Sequence, residues 1–289
     1  MVARYFSRNG EILPTSQAVV SLDDVAYSYG YGVYETIRVS GGVPYFADEH
    51  CARLLASAET ISLEHRFSAD LILQSINELI VRNSLEASNL KILLIGGKTG
   101  SDATLYIQSL NPLFPNPKLY KTGVHCITEQ YERPFPHAKT LNMLPSYLAY
   151  KKAVAASAYD ALLVNRVGAI TEGSRTNFFC LKGTTIFSPP DEDILLGVMR
   201  MAMLQVAATQ GFTIVRKPIL LTEIASYDAA FLTSTSSKIM PIRSIDDHTF
   251  GEIPATLTDF MQHFNQFLAD YGGRLAVLET WDHAFGVSK

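Results

Sequence analysis

Lysine is the side chain whose free amine can attack a carbonyl carbon, and three lysines stand close together in the middle of this chain. They are Lys139, at the head of the run Lys139–Asn142 (KTLN), and the adjacent pair Lys151 and Lys152. A lone lysine is by default a solvated surface group, and the pair lies inside a helical pattern. A second feature is Gly197, directly before a helical stretch that opens with Val198 and Met199. A helix N-terminus preceded by glycine offers free backbone N–H groups and a positive dipole end to an anion. Tyr34 and Arg38 occupy even positions of a strand-like run and so share a face. Shorter, better-known spacings fail. Gly96-Gly97-Lys98-Thr99 ends like a phosphate-binding loop, but Ile92 stands where the first glycine must be. The histidines show no metal-ligand spacing, and His50, beside Glu49 at a helix start, reads as a surface or packing residue. There is no GxSxG elbow, CxxC pair or HExxH run.

Six segments then stand in order: Tyr31–Val39 (YGVYETIRV), His50–Leu54 (HCARL), Lys139–Asn142 (KTLN), Thr171–Phe178 (TEGSRTNF), Ile194–Arg200 (ILLGVMR) and Thr233–Arg243 (TSTSSKIMPIR). From about Ser21 to Asp247, in order and spacing, they resemble the class IV pyridoxal 5'-phosphate (PLP) aminotransferases, the group of branched-chain and D-amino-acid transaminases and aminodeoxychorismate lyase. The resemblance implies a PLP enzyme in which Lys139 forms an imine with the cofactor aldehyde and then shuttles the proton as a free amine. Glu172, in a turn between two strands, matches the carboxylate that keeps the pyridine nitrogen protonated. Arg53 matches the phosphate arginine. Val198 and Met199 offer backbone amides to the phosphate, and Met199 replaces the family's usual threonine, so a hydroxyl contact is lost. Thr235 supplies another phosphate hydroxyl, and the amides of Thr235 and Ser236 face the substrate carboxylate. Tyr34 and Arg38 line the substrate pocket, where Arg38 either pairs with a distal carboxylate or makes a structural ion pair. Tyr147 is either a further site residue or only a helix-start aromatic.

The resemblance leaves the substrate open. D-amino-acid transaminases carry an Arg-x-His carboxylate trap where Gly97–Thr104 (GKTGSDAT) has neither residue. The tract Tyr34–Val39 and the run Pro241–Asp246 (PIRSID) are closer to branched-chain aminotransferases, the first choice. Lys91 stands about where those enzymes have an arginine, and a point charge replaces a bidentate fork. Formation of 4-aminobenzoate by the lyase needs the same lysine and glutamate and stays an alternative, as does a D-amino-acid transaminase. A PLP-binding paralogue without turnover is the alternative of another class, against which Lys139, Glu172 and Arg53 together weigh.

The elements that must position these residues are partly legible. Ala18–Leu22 is apolar. Gly32–Val39 reads as a strand turning through Gly41-Gly42 into Val43–Phe46, and Asp48 reads as the cap of a helix carrying Cys51, Leu54, Leu55 and Ala58. A helix over Ser68–Ser84 and a strand over Leu90–Ile95 follow. Asn111–Lys118, with three prolines, reads as a linker. Further on come strands at Val124–Thr128, Ala161–Val164, Asn177–Leu181 and Ala229–Thr233, with helices at Tyr147–Ala158, Met199–Gln210 and Leu257–Tyr271. The pattern predicts α+β packing in two domains: a small N-terminal α/β domain over 1–118 and a larger C-terminal one over 119–289, which the resemblance builds on a β-barrel-like sheet of fold type IV.

Bulk properties narrow the partners. At 289 residues, 47% hydrophobic and 18% charged, the chain can bury a sizeable core and is not a disordered one. Net charge of -4 without a basic cluster gives no case for nucleic acid. Met1–Gly10 lacks the apolar core of a signal peptide, and the aliphatic run Ile92–Ile95 cannot span a bilayer. Three scattered cysteines fit a reducing compartment, so a cytoplasmic protein is expected. Tyr27, Tyr29, Tyr31 and Tyr34 crowd one short segment, which suits the core of a two-fold interface. The resemblance also implies a homodimer.

Overall fold

The computed structural model describes residues 3–20, 25–111 and 114–285. Ser21 and Leu22, of the apolar stretch, and Pro112 and Leu113, of the linker, lie outside the described residues. The chain divides into two compact units, Met1–Leu113 with Ala138–Asn142 and Asn265–Lys289, and Phe114–His137 with Met143–Phe264.

The first unit is an antiparallel sheet covered by two helices. Its strands are β1 (Tyr5–Arg8), β2 (Glu11–Pro14), β3 (Gly32–Ser40), β4 (Val43–Pro44), β5 (Ala87–Ile95) and β6 (Thr104–Leu110), in the order β2-β1-β6-β5-β3-β4. β1 and β2, which the sequence expectations do not contain, turn through Asn9 and Gly10, both at positive φ, the conformation an Asn-Gly hairpin turn needs. A short helix α1 (Val25–Tyr29) precedes β3. On β3, Val33, Glu35, Ile37 and Val39 are all buried, while Tyr34, Thr36 and Arg38 alternate onto the less buried face. The helices α2 (Ala47–Thr60) and α3 (Ala69–Asn83) pack Cys51, Leu54, Ile72, Ile76 and Leu79 against that core face. α3 has the predicted ends: the Ser68 hydroxyl accepts from the Leu71 N–H at 3.2 Å, and Ser84 closes it in the left-handed conformation. α2 differs from expectation, since Phe46 holds the cap position and Asp48 sits exposed in the first turn, where its charge favours the helix dipole.

The second unit is built on a closed ring of six strands. A four-residue helix α4 (Leu119–Thr122) leads into β7 (Val124–Gln130), and α5 (Leu144–Ala155) connects it to its parallel neighbour β8 (Asp160–Val164). Parallel strands need such a crossover. Then come β9 (Ala169–Gly173), β10 (Asn177–Lys182), β11 (Thr185–Ser188), α6 (Val198–Thr209), β12 (Thr213–Arg216), β13 (Ile219–Leu220), β14 (Ala229–Ser234), β15 (Lys238–Ile245) and β16 (His248–Thr249). The ring runs β10-β14-β15-β7-β8-β9, and the pair Glu172 and Asn177 joins β9 back to β10. The expected barrel-like sheet of a fold type IV protein is therefore present. The last helix, α7 (Ala255–Phe285), runs past the expected Leu257–Tyr271 at both ends and buries Leu257, Phe260 and Phe264 in this unit. No helix among the described residues is long and apolar enough to cross a membrane.

Candidate active site

Lys139 is held by backbone pairing in the first unit. Its carbonyl accepts from the Tyr34 N–H at 2.9 Å, Leu141 N–H donates to Gly32 at 2.8 Å, and Val33 and Thr140 form an antiparallel bridge. The Lys139 N–H in turn donates to the Ser57 hydroxyl on α2 at 3.1 Å. The run KTLN is thus a short extra strand along the start of β3, and its lysine is fixed at the main chain on both sides. The Lys139 Nζ lies 4.7 Å from the Tyr34 ring centroid, and Lys91, opposite Thr36 on β5, reaches the same ring at 5.8 Å. An ammonium over a tyrosine face is attracted to the ring quadrupole. Lys151 and Lys152 are exposed on α5, and Lys152 pairs with Glu129.

Arg53 lies on α2, a turn before Ser57, with its side chain 12% exposed. Its Nε and Nη2 donate to the two oxygens of Glu35 at 2.6 and 2.8 Å. Glu35 also accepts from His50 Nδ1 at 2.8 Å. His50 is fully buried, so of the two expectations, surface or packing, it is the packing one that holds, with a polar task. Burial opposes a charge on Glu35, but the Arg53 guanidinium and the His50 hydrogen bond outweigh it and hold the carboxyl well below the usual range. Burial lowers the His50 pKa, helped by the charges of Arg53 and Lys139 and only partly opposed by Glu35. An ionised Glu35 can only accept, so His50 Nδ1 is the donor of this bond.

In the second unit Glu172 is not on a turn. It lies in β9, 4% exposed, at the bridge that closes the ring. The error has a local cause: every residue of β9 is buried, so no alternation marks the strand. Arg133 Nη1 donates to Glu172 Oε1 at 2.8 Å, and the Leu195 N–H donates to Oε2 at 3.2 Å. Asn177 completes the loop, its Nδ2 donating to the Leu195 carbonyl at 2.7 Å. A Cβ on Gly197 would lie 2.1 Å from Asn177 Oδ1, and moving that amide would break the bond to Leu195. Glycine is thus required there. Gly197 caps α6 without a side-chain hydrogen bond, so the first-turn amides, from Val198 and Met199 on, have no capping side chain. Both residues are buried, and the Met199 thioether offers no donor. Thr235 and Ser236 form the half-buried turn between β14 and β15, pinned by Ser237 N–H to the Ser234 hydroxyl at 3.1 Å. Beside this turn the Thr233 hydroxyl, on β14 opposite Asn177, is buried without a partner.

The model of the family described as Amino-transferase class IV matches residues 32–245. The chain is a class IV aminotransferase. Among curated relatives, the D-alanine aminotransferase of Bacillus licheniformis is 32% identical over 88% of this chain and 93% of its own length. The putative branched-chain-amino-acid aminotransferase of Methanocaldococcus jannaschii is 29% identical over 87% and 93%. The T.th. branched-chain amino acid aminotransferase, solved with pyridoxamine 5'-phosphate, superposes at a TM-score of 0.85 with 25% identity, covering 94% of this chain and 95% of that one. A putative 4-amino-4-deoxychorismate lyase from Legionella pneumophila superposes at 0.79 with 26% identity over 86% and 95%.

PLP is the cofactor of this aminotransferase. The residues present fit it: a lysine fixed at its backbone, a buried carboxylate, a clamped arginine, and a helix start with no capping side chain behind an obligatory glycine. Of the residues singled out in the sequence, Tyr34, Arg53 and Lys139 belong to one local cluster, whereas Tyr147 stands 56% exposed on α5. Arg38 shares the face of Tyr34, as expected. Glu35, His50, Ser57, Arg133 and Asn177 were not singled out as partners of site residues. Only Glu35 carries a sequence signal, a carboxylate in the stripe Val33, Ile37, Val39 that is otherwise apolar.

Proposed function

We propose that this aminotransferase moves an amino group between a branched-chain-type amino acid and a 2-oxo acid, with Lys139 as the covalent and proton-transferring residue. Bound PLP supplies an electron sink that makes the substrate Cα–H acidic. The observation that carries the reading is the backbone anchoring of Lys139 on both sides, its carbonyl to Tyr34 and its N–H to Ser57, which fixes the origin of a flexible amine beside Tyr34. In this reading Glu172 keeps the proton on the pyridine nitrogen. Arg53, the Thr235 hydroxyl and the amides of Val198 and Met199 receive the phosphate, and Met199 leaves that set one hydroxyl short. Tyr34 and Arg38 line the side-chain pocket, and the amides of Thr235 and Ser236 take the substrate carboxylate. The domain boundary in this reading falls at the end of the proline-rich run Asn111–Lys118, between 1–118 and 119–289, although Ala138–Asn142 of the later part packs with the first unit.

The absence of Arg and His from Gly97–Thr104 supports the branched-chain choice. A second reading, D-amino-acid donors, is favoured by the 32% identity to a D-alanine aminotransferase. One experiment addresses both. Lys139→Ala should lose turnover and the visible absorbance of lysine-bound cofactor, while the parent is offered both hands of a donor panel and aminodeoxychorismate. An unchanged band and rate in Lys139→Ala would remove the lysine. Turnover of D-donors alone would replace the substrate, and pyruvate release from aminodeoxychorismate would replace transamination by elimination.

The enzyme works in this reading as a cytoplasmic homodimer. Three buried free thiols suit a reducing compartment, and a cell fractionation that finds the protein outside the cytosol would overturn that choice. Tyr29, 80% exposed, supports an interface at the tyrosine segment. Tyr31 supports it less, since its hydroxyl bonds the Ser62 carbonyl and its ring packs on Gly96.

A further inference from the structure

A carboxylate in an apolar core is costly unless every lone pair is used. Glu35 is 0% exposed on the core face of β3, between Val33 and Ile37. Its Oε1 accepts from Arg53 Nε; its Oε2 accepts from Arg53 Nη2, from His50 Nδ1, and from the Thr36 N–H at 3.3 Å. His50 and Arg53 are three residues apart on α2 and so project from one helix face. The two-pronged contact fixes the guanidinium plane, because a planar fork on a carboxylate has one good geometry. A neutral imidazole is the donor that can hold Glu35 from the other side without adding a positive charge next to Arg53 and Lys139.

We propose that Glu35 and His50 are positioning residues that set the orientation in which Arg53 meets the cofactor phosphate. The proposal rests on the reading that Arg53 is a phosphate ligand. Glu35 acts on Arg53 directly, and His50 acts through Glu35. In this assignment both act only through Arg53, so their effect on binding must depend on the phosphate and must pass through the arginine.

The test is a double-mutant cycle on the full-length chain stripped of cofactor, titrated with PLP and with pyridoxal, which lacks the phosphate. The parent, Glu35→Gln, Arg53→Lys and the double variant are compared by dissociation constant. Glu35→Gln is expected to weaken PLP about 10-fold or more, the scale of a lost charge-assisted hydrogen bond, and to leave pyridoxal nearly unchanged. In the Arg53→Lys background the same substitution is expected to cost much less, since the fork it positions is gone. Equal loss of PLP and pyridoxal, or full additivity in the double variant, would make Glu35 merely structural and overturn the proposal. If Arg53→Lys leaves the PLP-to-pyridoxal ratio untouched, the phosphate reading of Arg53 itself fails and the proposal falls with it. Should Glu35→Gln not fold, the cycle is run with His50→Gln, which keeps the Glu35–Arg53 pair and is expected to cost PLP a smaller, still phosphate-dependent factor. No phosphate-dependent loss in His50→Gln would overturn the assignment for that residue.

Discussion

Replacing Glu172 by glutamine keeps its shape and removes its charge. Two donors already face the carboxylate, Arg133 Nη1 at 2.8 Å and the Leu195 N–H at 3.2 Å, and in the proposed role a protonated pyridine nitrogen is a third. A glutamine carbonyl serves one of them well, and its amide N–H2 then faces another donor. A lost hydrogen bond to a charged group costs about 1.5–3 kcal/mol. The Arg133 side chain is 19% exposed and Glu172 5%, so water softens the arginine's share of this loss, and the stability cost belongs at the lower end. For a chain of this length such a loss lowers Tm by only a few degrees, roughly 2–4 °C per kcal/mol. The same 1.5–3 kcal/mol lost from the proton-abstraction transition state slows it about 10- to 150-fold. The assay is single-turnover amino transfer by stopped flow on cofactor-saturated enzyme, with a thermal melt on the same samples. Arg133→Gln is the control: it breaks the ion pair but keeps the carboxylate, so it should lower Tm comparably with a much smaller rate deficit. A Glu172→Gln enzyme that melts early yet transfers at the parent rate would confine Glu172 to closing the strand ring.

Two further outcomes follow from exposure and charge. His50 has a folded pKa below the 6.5 of a free histidine, so below that pH the unfolded chain binds more protons and stability falls as the solution is acidified; Glu35, lowered from 4.5, adds its own loss only below that value. Urea midpoints of the parent should therefore decline as the pH falls below about 6.5, and His50→Gln should flatten that decline down to what the likewise lowered His65 contributes, whereas superimposable profiles would exclude His50 as a titrating group. The proposed homodimer predicts twice the 31.9 kDa chain mass by light scattering at micromolar concentration. A monomer mass at full activity would refute it, and the partly exposed apolar residues Leu144, Tyr147 and Leu148 of α5 are the second place, after Tyr29, to introduce a disrupting charge.

What could be read from the sequence was what is written locally. The alternation in Gly32–Val39, the serines at both ends of α3 and the glycine ahead of α6 each act within a few residues, and each reappears in the structure. The order of motifs carried the family and, with it, the ring-shaped sheet. The settings of the site residues are different, because they are made by partners far apart in the chain: Arg133 on Glu172, Ser57 and Gly32 on the KTLN run, Asn177 against Gly197. No spacing rule reaches across such separations. Glu172 is a different case: it closes the barrel from a strand that is buried throughout and so shows no alternation to distinguish it from a turn. The β1–β2 hairpin is an intermediate case; Asn9-Gly10 announces it, but strands of four residues are too short to display a period. Glu35 is the instructive exception. A carboxylate at an alternating position among Val33, Ile37 and Val39 requires, from solvation energy alone, that a cation be buried with it. The helix that must cover this face offers one arginine, Arg53, one turn after a histidine that is itself out of reach of water. The pairing of Glu35 with Arg53 is therefore deducible in principle from burial chemistry, whereas the burial of His50, and with it the third partner of this carboxylate, is legible only in the structure.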